Sequence, residues 1–347
     1  MYSKYFVLIF FTISSFADDV AVGHAPIGVM ADHFHKSGEI MISARYSNMQ
    51  MKGNALHSQG IDDQTVINTQ ENPFASMSGA PDNLSVVPQK MDMEMLMLGG
   101  MYAPSDDITL MGMIMFMKNK MELNTYRGMM ARDFLGNFKT SNEDISNISV
   151  SALYKLHKSE KYRLHIEVGI DKSLGDEDKK HKMLTPANTN MMMVMPYAMQ
   201  QDNATRLIIG LTNNLEYKNY FVGTQIRMKT AIADKDWSFG DKLELSSWIQ
   251  KPLKDELSIS ARLQYINQKK ISGSSSIILA PVQSSNPLNY GGKIIRIGFG
   301  LNALFDFIEG NHKDRLGIEI LFPVNESKNG LQMEQDYEIQ FGYQKTF

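Results

Sequence analysis

The chain has 347 residues, 43% of them hydrophobic, with no cysteine and a formal net charge of −3. The missing cysteine excludes disulfides and thiolate metal sites, and the slight acidity excludes nucleic-acid binding by bulk charge. A mean hydropathy of −0.26 argues against a helical membrane protein but not against a β-barrel, whose lumen and loops are polar.

Residues 1–17 read as a secretory signal peptide: Lys4, an apolar run from Tyr5, then Ser15-Phe16-Ala17 as a small-x-small cleavage site. The run is too short to span a bilayer. No cysteine follows it to carry a lipid, and its removal takes Lys4 and moves the charge from −3 to −4. Residues 18–36 contain His24, Pro26, Met30, Asp32, His33 and His35 and read as a loose periplasmic arm. Its Asp32-His33-Phe34-His35 cluster is a candidate transition-metal site, although two histidines and one aspartate make a sparse ligand set.

The barrel proper is assigned to residues 37–347. Its first strand, 39–51, places Ile40, Ile42, Ala44 and Tyr46 on one face and Met41, Ser43, Arg45, Ser47, Met49 and Met51 on the other. An arginine facing lipid at mid-membrane would cost about 2–4 kcal/mol, so the methionine face is the lumenal one. Residues 52–88, rich in Asn, Ser, Gly and Pro, read as a long loop.

Residues 91–121 organise the chain. Met91, Met93, Met95, Met97, Met101, Met111, Met113, Met115, Met117 and Met121 are all at odd positions. The even positions carry Leu96, Leu98, Tyr102, Leu110, Ile114 and Phe116. Gly99-Gly100, the Pro104-Ser105-Asp106-Asp107 break and the period of two argue against helix. A hairpin turning over residues 103–107 would set Asp92 against Lys118 and Met97, Met95 and Met93 against Met113, Met115 and Met117. Apolar on both faces, it needs two different surroundings, lipid outside and a barrel interior inside.

A loop at 122–143 is followed by strands at 144–157 and 162–171. In the second, Leu164, Ile166, Val168 and Ile170 alternate with Arg163, His165 and Glu167, apolar outward and charged inward. A loop at 172–203 carries Met191-Met192-Met193-Val194-Met195. Alternating segments follow at 204–217, 220–230, 240–250, 256–267, 293–305, 314–323 and 334–347, with Arg206, Arg262, Arg296, Arg315 and Glu319 on the polar faces. The pattern predicts an all-β, transmembrane antiparallel up-and-down barrel of about twelve strands, short turns toward the periplasm and longer loops outside. Tyr102, Tyr217, Tyr220, Tyr343 and Phe347 suit an interface girdle. A terminal Phe347 preceded by alternating aromatics is similar to the insertion signal read by outer-membrane barrel machinery, which places the protein in the outer membrane of a Gram-negative bacterium.

The segments Pro26-Ile27-Gly28-Val29-Met30-Ala31-Asp32-His33, Lys36-Ser37-Gly38-Glu39, Met101-Tyr102-Ala103-Pro104-Ser105-Asp106 and Met195-Pro196-Tyr197-Ala198-Met199-Gln200 resemble a family of outer-membrane transporters. That family is grouped loosely with putative proteins of the meta-pathway of phenol degradation. Ile40 stands where its members tend to carry Trp. The resemblance implies a barrel and transport, with no catalytic residues.

Three uses of the methionine face compete. It could be an adaptable apolar wall for small hydrophobic or aromatic solutes, steered by Arg45, Arg163, His165 and Glu167. It could bind or pass Cu(I) or Ag(I), with His33, His35, Met95, Met97, Met113 and Met115 as ligands, since same-side thioethers lie about 6.7 Å apart along a strand. Or it could pack a plug made by the arm or by the 172–203 loop, in a closed structural or adhesive barrel. No resident cofactor is expected. A lipase reading rests only on His57-Ser58, adjacent residues that cannot form the usual nucleophile–base geometry without a third partner.

Overall fold

The computed structural model describes residues 21–129, 132–176, 178–306 and 314–347. Twelve long strands close into one antiparallel barrel: β1 (Ile40–Leu56), β2 (Val86–Ser105), β3 (Ile108–Tyr126), β4 (Phe134–Lys158), β5 (Tyr162–Ser173), β6 (Thr205–Tyr217), β7 (Tyr220–Ala233), β8 (Lys242–Lys254), β9 (Leu257–Gln268), β10 (Gly292–Phe305), β11 (Asp314–Lys328) and β12 (Leu331–Thr346). Each pairs with its neighbours in sequence, and β12 returns to β1 along a ladder from Met41–Thr346 to Leu56–Leu331. Closure removes the free edges, so backbone groups stay paired where no water can reach them. This is the up-and-down barrel that the alternation predicts. The candidate signal peptide lies outside the described residues.

The two faces are inverted relative to a soluble protein. Ile42, Leu98, Leu110, Val150, Ile170, Leu211, Leu263, Phe299 and Phe341 are exposed, while Ser47, Ser149, His165, Glu167, Arg262, Arg296 and Glu319 are buried. Only a barrel whose outside meets lipid makes that arrangement favourable. Tyr102, Tyr154, Tyr217, Tyr220 and Phe347 are exposed near the short-turn ends of their strands, as an interfacial girdle requires.

β1 to β4 run 17, 20, 19 and 25 residues, well beyond the roughly 9–11 that a tilted span needs. The excess projects past the bilayer on the loop side. There the outward positions change from apolar to charged and pair across strands: Lys118–Glu143 at 2.5 Å, Lys120–Glu94 at 2.7 Å and Lys139–Glu122 at 2.5 Å. These charges mark where lipid gives way to water.

Several boundaries differ from the sequence reading. The expected loop at 122–143 is mostly strand, leaving only residues 127–133 between β3 and β4. The 52–88 loop holds the end of β1, the short strand Gln59–Ile61 and the helix Asp63–Thr69, capped by Asp62. The hairpin register is two residues off: Met97 faces Met115, Met95 faces Met117, Glu94 faces Lys118 and Asp92 faces Lys120. The cause lies at the turn. Gly38 N donates to Ala103 O at 2.8 Å and Ala103 N to Glu39 O at 3.1 Å, holding Ala103 extended and leaving Asp106-Asp107 as the turn. A shift of two keeps every side chain on its predicted face. The short-turn rule also breaks twice: residues 306–313 join β10 to β11 at the short-turn end, and Asn329-Gly330 alone join β11 to β12 at the loop end.

Candidate functional site

Both ends of the lumen are filled. At the short-turn end the N-terminal arm is folded inside the barrel. Its backbone is taken up by side chains from around the wall: Gln250 of β8 donates to His24 O at 2.7 Å, Asn302 of β10 to the same oxygen at 3.2 Å, and Arg45 of β1 to Val29 O at 3.1 Å. Gln225 of β7 donates to Met30 O at 2.8 Å, His165 of β5 to Ala31 O at 2.9 Å, and Asn214 of β6 to Asp32 O at 3.1 Å. Gly28 N donates to Glu319 Oε2 on β11 at 3.0 Å, and His35 N to Thr109 Oγ on β3 at 3.0 Å. A loop buried in a barrel needs such partners, because its amides have lost water. Side chains complete the seat. Ile27, 1% exposed, lies against Gly317 of β11 and Gly342 of β12, and Val29 packs with Ala25 and Trp248. The arm expected to be loose is thus a plug, because the inward faces of nine strands supply the donors and grooves it needs.

At the other end, the hairpin Lys180–Leu184/Asn190–Val194 and the turn Tyr197–Met199 descend into the mouth. Asn119 and Asn142 donate to the carbonyls of Ala198 and Met199 at 3.3 and 2.9 Å. Met183, Met195 and Met199 are buried there against Met91, Met121, Met333, Val86 and Leu123, with Met51, Met93, Met193 and Phe138 packed around them. A small apolar cleft opens beside this cluster, lined by Val86, Leu123, Phe138, Met183, Met193, Pro196, Ala280 and Val282 among others.

The lumen between these fillings has two unlike walls. On β1–β3 the predicted methionines all share the inward parity. Met101 and Met111 are buried with Met41, Leu153 and Ala31 of the arm. Met49, Met51, Met93, Met95, Met97, Met113, Met115 and Met117 are only half-buried. Their backs are the barrel wall, so their open sides face the interior. Gln201 of the mouth loop donates to Met117 Sδ at 3.0 Å, and Arg45 donates to Met30 Sδ at 2.9 Å.

The opposite wall is ionic. Glu167 accepts from Arg227 at 2.7 Å and from Ser151 at 2.9 Å; Arg262 pairs with Glu319 at 2.9 Å; Arg296 pairs with Glu338 at 2.5 Å, which also accepts from Ser47 at 2.7 Å. His165 and Glu167 are buried on the inward side of β5, each committed to a neighbour, and Arg45 is committed to the arm. Arg163 is half-buried at the turn end of β5. The sequence reading missed Arg227 and Glu338, both on the inward parity of their strands, where extending the alternation would have found them. His57 and Ser58 lie in the turn after β1, and His57 Nδ1 donates to Lys328 O at 3.2 Å.

Within the plug, ligand atoms of His24, Asp32 and His33 lie within 4.8 Å of one another, and all three residues are buried. His33 Nδ1 meets Asp32 Oδ1 at 2.9 Å, and Ala25 N donates to Asp32 Oδ2 at 2.9 Å. The His33 ring stands edge-on to those of His24 and His35, each centroid 4.9 Å away. Burial, then the Arg315 guanidinium and the His33 ring, hold His24 well below the usual imidazole range. Burial alone would push Asp32 up, but His33 and Arg315 outweigh it and hold the carboxyl well below its ordinary value. The predicted ligand set is regrouped: His33 is joined by His24 and Asp32. The four mid-barrel methionines lie on the β2–β3 hairpin instead, where Met97 faces Met115, Met95 faces Met117 and Met113 faces Gly99, and Met97 is about 13 Å along the strand from Met101, which touches the arm.

No protein-family model matches this chain, and no curated protein matches it. Solved structures do. The chain is similar to the COG4313 outer membrane channel from Pseudomonas putida F1, with a TM-score of 0.56 at 10% identity over 92% of this chain and 100% of that one. A Pseudomonas aeruginosa FadL homologue gives 0.43 at 9% identity, covering 90% of this chain and 91% of that one. A deletion mutant of the monoaromatic hydrocarbon channel TodX gives 0.41 at 9%, covering 90% of each chain. At 10% identity, the likeness to the P. putida channel establishes a shared outer-membrane barrel fold.

Proposed function

We propose that this protein is an outer-membrane channel for small apolar solutes, aromatic ones included, which travel along the methionine wall. One observation carries this reading: the same inward face is buried at both ends and half-open between them. The apolar cleft at the mouth is lined by Met183 and Met193, Met193 and Met93 pack against the same buried cluster, and Met95, Met97, Met113 and Met115 stand half-buried further along the face. Unbranched thioethers adapt to irregular ligands without demanding hydrogen bonds. The ionic wall opposite binds chiefly to itself, so an apolar solute need not break it. Exit at the far end requires the arm to yield.

The test is uptake by proteoliposomes of phenol-sized aromatics against sugars of similar mass. Wild type should pass the aromatics selectively, and Met95→Asp with Met115→Asp should abolish the preference. Equal passage of both solutes, or an unchanged preference in the variant, refutes the reading.

A second reading, Cu(I) or Ag(I) as cargo, is favoured by the continuity of thioethers from the exposed Met191 and Met192 through Met193 and Met93 to Met101 and Met111. Replacing Met95, Met97, Met113 and Met115 by Leu separates the two. Leucine keeps the wall apolar at a cost below about 1.5 kcal/mol per site but removes the sulfur. Aromatic passage should survive it, whereas metal passage should not. If neither cargo crosses, the barrel is a closed structural element.

A further inference from the structure

We infer that His24, Asp32 and His33 form a binding site for a divalent first-row transition ion, of the Zn²⁺ or Cu²⁺ kind, inside the N-terminal plug. The site is separate from the lumenal path, and its test does not depend on what crosses the barrel.

Two imidazoles and one carboxylate converge there with ligand atoms no more than 4.8 Å apart. Around a tetrahedral ion, with bonds of about 2.0–2.2 Å, such atoms lie roughly 3.4 Å from one another, so closing the site asks for side-chain shifts of up to about an ångström. The plug is already shaped for this. Val29 N donates to Pro26 O at 2.9 Å, turning the arm so that residues 24 and 32 meet, and the Ala25 amide orients the Asp32 carboxylate through Oδ2. A carboxylate oriented by a backbone donor is the usual support behind a metal ligand.

Independent of that proximity, the rings of His24 and His35 carry nitrogens that nothing among the described residues satisfies. His24 Nδ1 and His35 Nε2 have no hydrogen-bond partner, and these residues are 4% and 2% exposed. A buried imidazole nitrogen without a partner costs free energy that a metal bond or a bound water recovers. His35 borders the triad through its ring contact with His33, and its other nitrogen is 3.3 Å from Glu39 Oε2, which leaves Nε2 as the available donor atom.

The charge around the site selects the class of ion. The triad itself holds one carboxylate, and the Arg315 guanidinium lies close enough to act on both Asp32 and His24. Ca²⁺ and Mg²⁺ depend on several oxygen ligands and would find too little negative charge. Imidazole-rich sets favour Cu²⁺ and Zn²⁺, with Cu²⁺ bound more tightly. Because the ligands lie eight residues apart on one arm, the ion would staple the plug in its folded shape.

The experiment uses tag-free protein, stripped with chelator and desalted in detergent, titrated with ZnCl₂ and CuCl₂ by calorimetry. The Cu²⁺ form is then read by electron paramagnetic resonance. One ion per barrel is expected, with nitrogen hyperfine structure in the Cu²⁺ spectrum. His24→Ala and Asp32→Asn should each weaken binding by at least the 10- to 100-fold that supporting residues alone are worth. His157→Ala and His181→Ala should leave it unchanged. Heat-modifiable migration on a gel shows whether each variant has folded, and Asp32→Asn, which keeps size and shape, guards against misfolding of the histidine variant. Absence of a stoichiometric ion in wild type, or equal affinity in folded Asp32→Asn, overturns the proposal.

Discussion

The seating of Ile27 permits a sharp test of the plug. A Cβ added to Gly342 would stand 2.5 Å from Ile27 Cγ1 and 2.6 Å from Cδ1, whereas one added to Gly317 would stand 2.8 Å from Ile27 Cβ. Both replacements overpack the seat, at about 1–3 kcal/mol each, which corresponds to roughly 5- to 150-fold more undocked arm. The chain has no cysteine, so Ala25→Cys, at a position 4% exposed, gives a clean reporter whose maleimide labelling rate follows the undocked population. Gly342→Ala and Gly317→Ala should each accelerate labelling within that range. Ile27→Ala alone should also accelerate it, by loss of buried surface. The combinations then diverge. Ile27→Ala removes Cγ1 and Cδ1, so adding Gly342→Ala to it should bring no further increase. It keeps Cβ, so adding Gly317→Ala should. If the two double variants behave alike, or if neither glycine variant alters labelling, Ile27 does not hold the arm as described.

Removing residues 21–36 should raise ion conductance in planar bilayers severalfold, and unchanged conductance would place the barrier elsewhere. Glu167→Ala leaves the Arg227 guanidinium without its main partner and should cost about 3–5 kcal/mol in reversible urea unfolding. Replacing Glu167 and Arg227 together by Met should recover most of that loss, and a double variant as unstable as the single one would show that the pair is not the cause. Fluorophores at Leu98→Cys and Val150→Cys should be quenched by brominated acyl chains, and one at Lys120→Cys should not; quenching at Lys120 would mean the charged outer faces of β2–β4 lie in the membrane.

What could be read from the sequence follows from the range of the interaction behind it. Which way Met95 or Glu167 points is a local matter of alternation, decided by a period of two that survives even a shift of register. The hairpin pairing is less local: it depends on where the turn closes, and the contacts of Gly38 and Glu39 with Ala103 decide that. The plug is not local at all. Gly28 meets Glu319 and Ile27 meets Gly342 across nearly the whole chain, and no periodic signal links them. A trace of it existed nonetheless. Glycines at inward positions of β11 and β12, where neighbouring strands carry Arg or Gln, mark places where another backbone comes close. Likewise, His24 stood eight residues from Asp32 with Pro26 and Gly28 between them to suggest a turn.

The two walls of the lumen follow from how each residue type meets its hydrogen-bonding needs. An inward arginine must find a partner, so Arg227, Arg262 and Arg296 are tied to glutamates on other strands, and Arg45 and Arg315 to carbonyls of the arm. Methionine makes no such demand. It can pack under the arm as Met101 does, pack under the mouth loop as Met121 does, or stand half-open in between as Met95 does, without leaving a polar group unsatisfied. That tolerance explains why the β2–β3 hairpin could carry one residue type along its whole inner face while its surroundings change from the plug, through a half-buried stretch, to the mouth loop. It also means that the middle of that face, where Met95, Met97, Met113 and Met115 are half-buried, is open without a polar group being left unsatisfied.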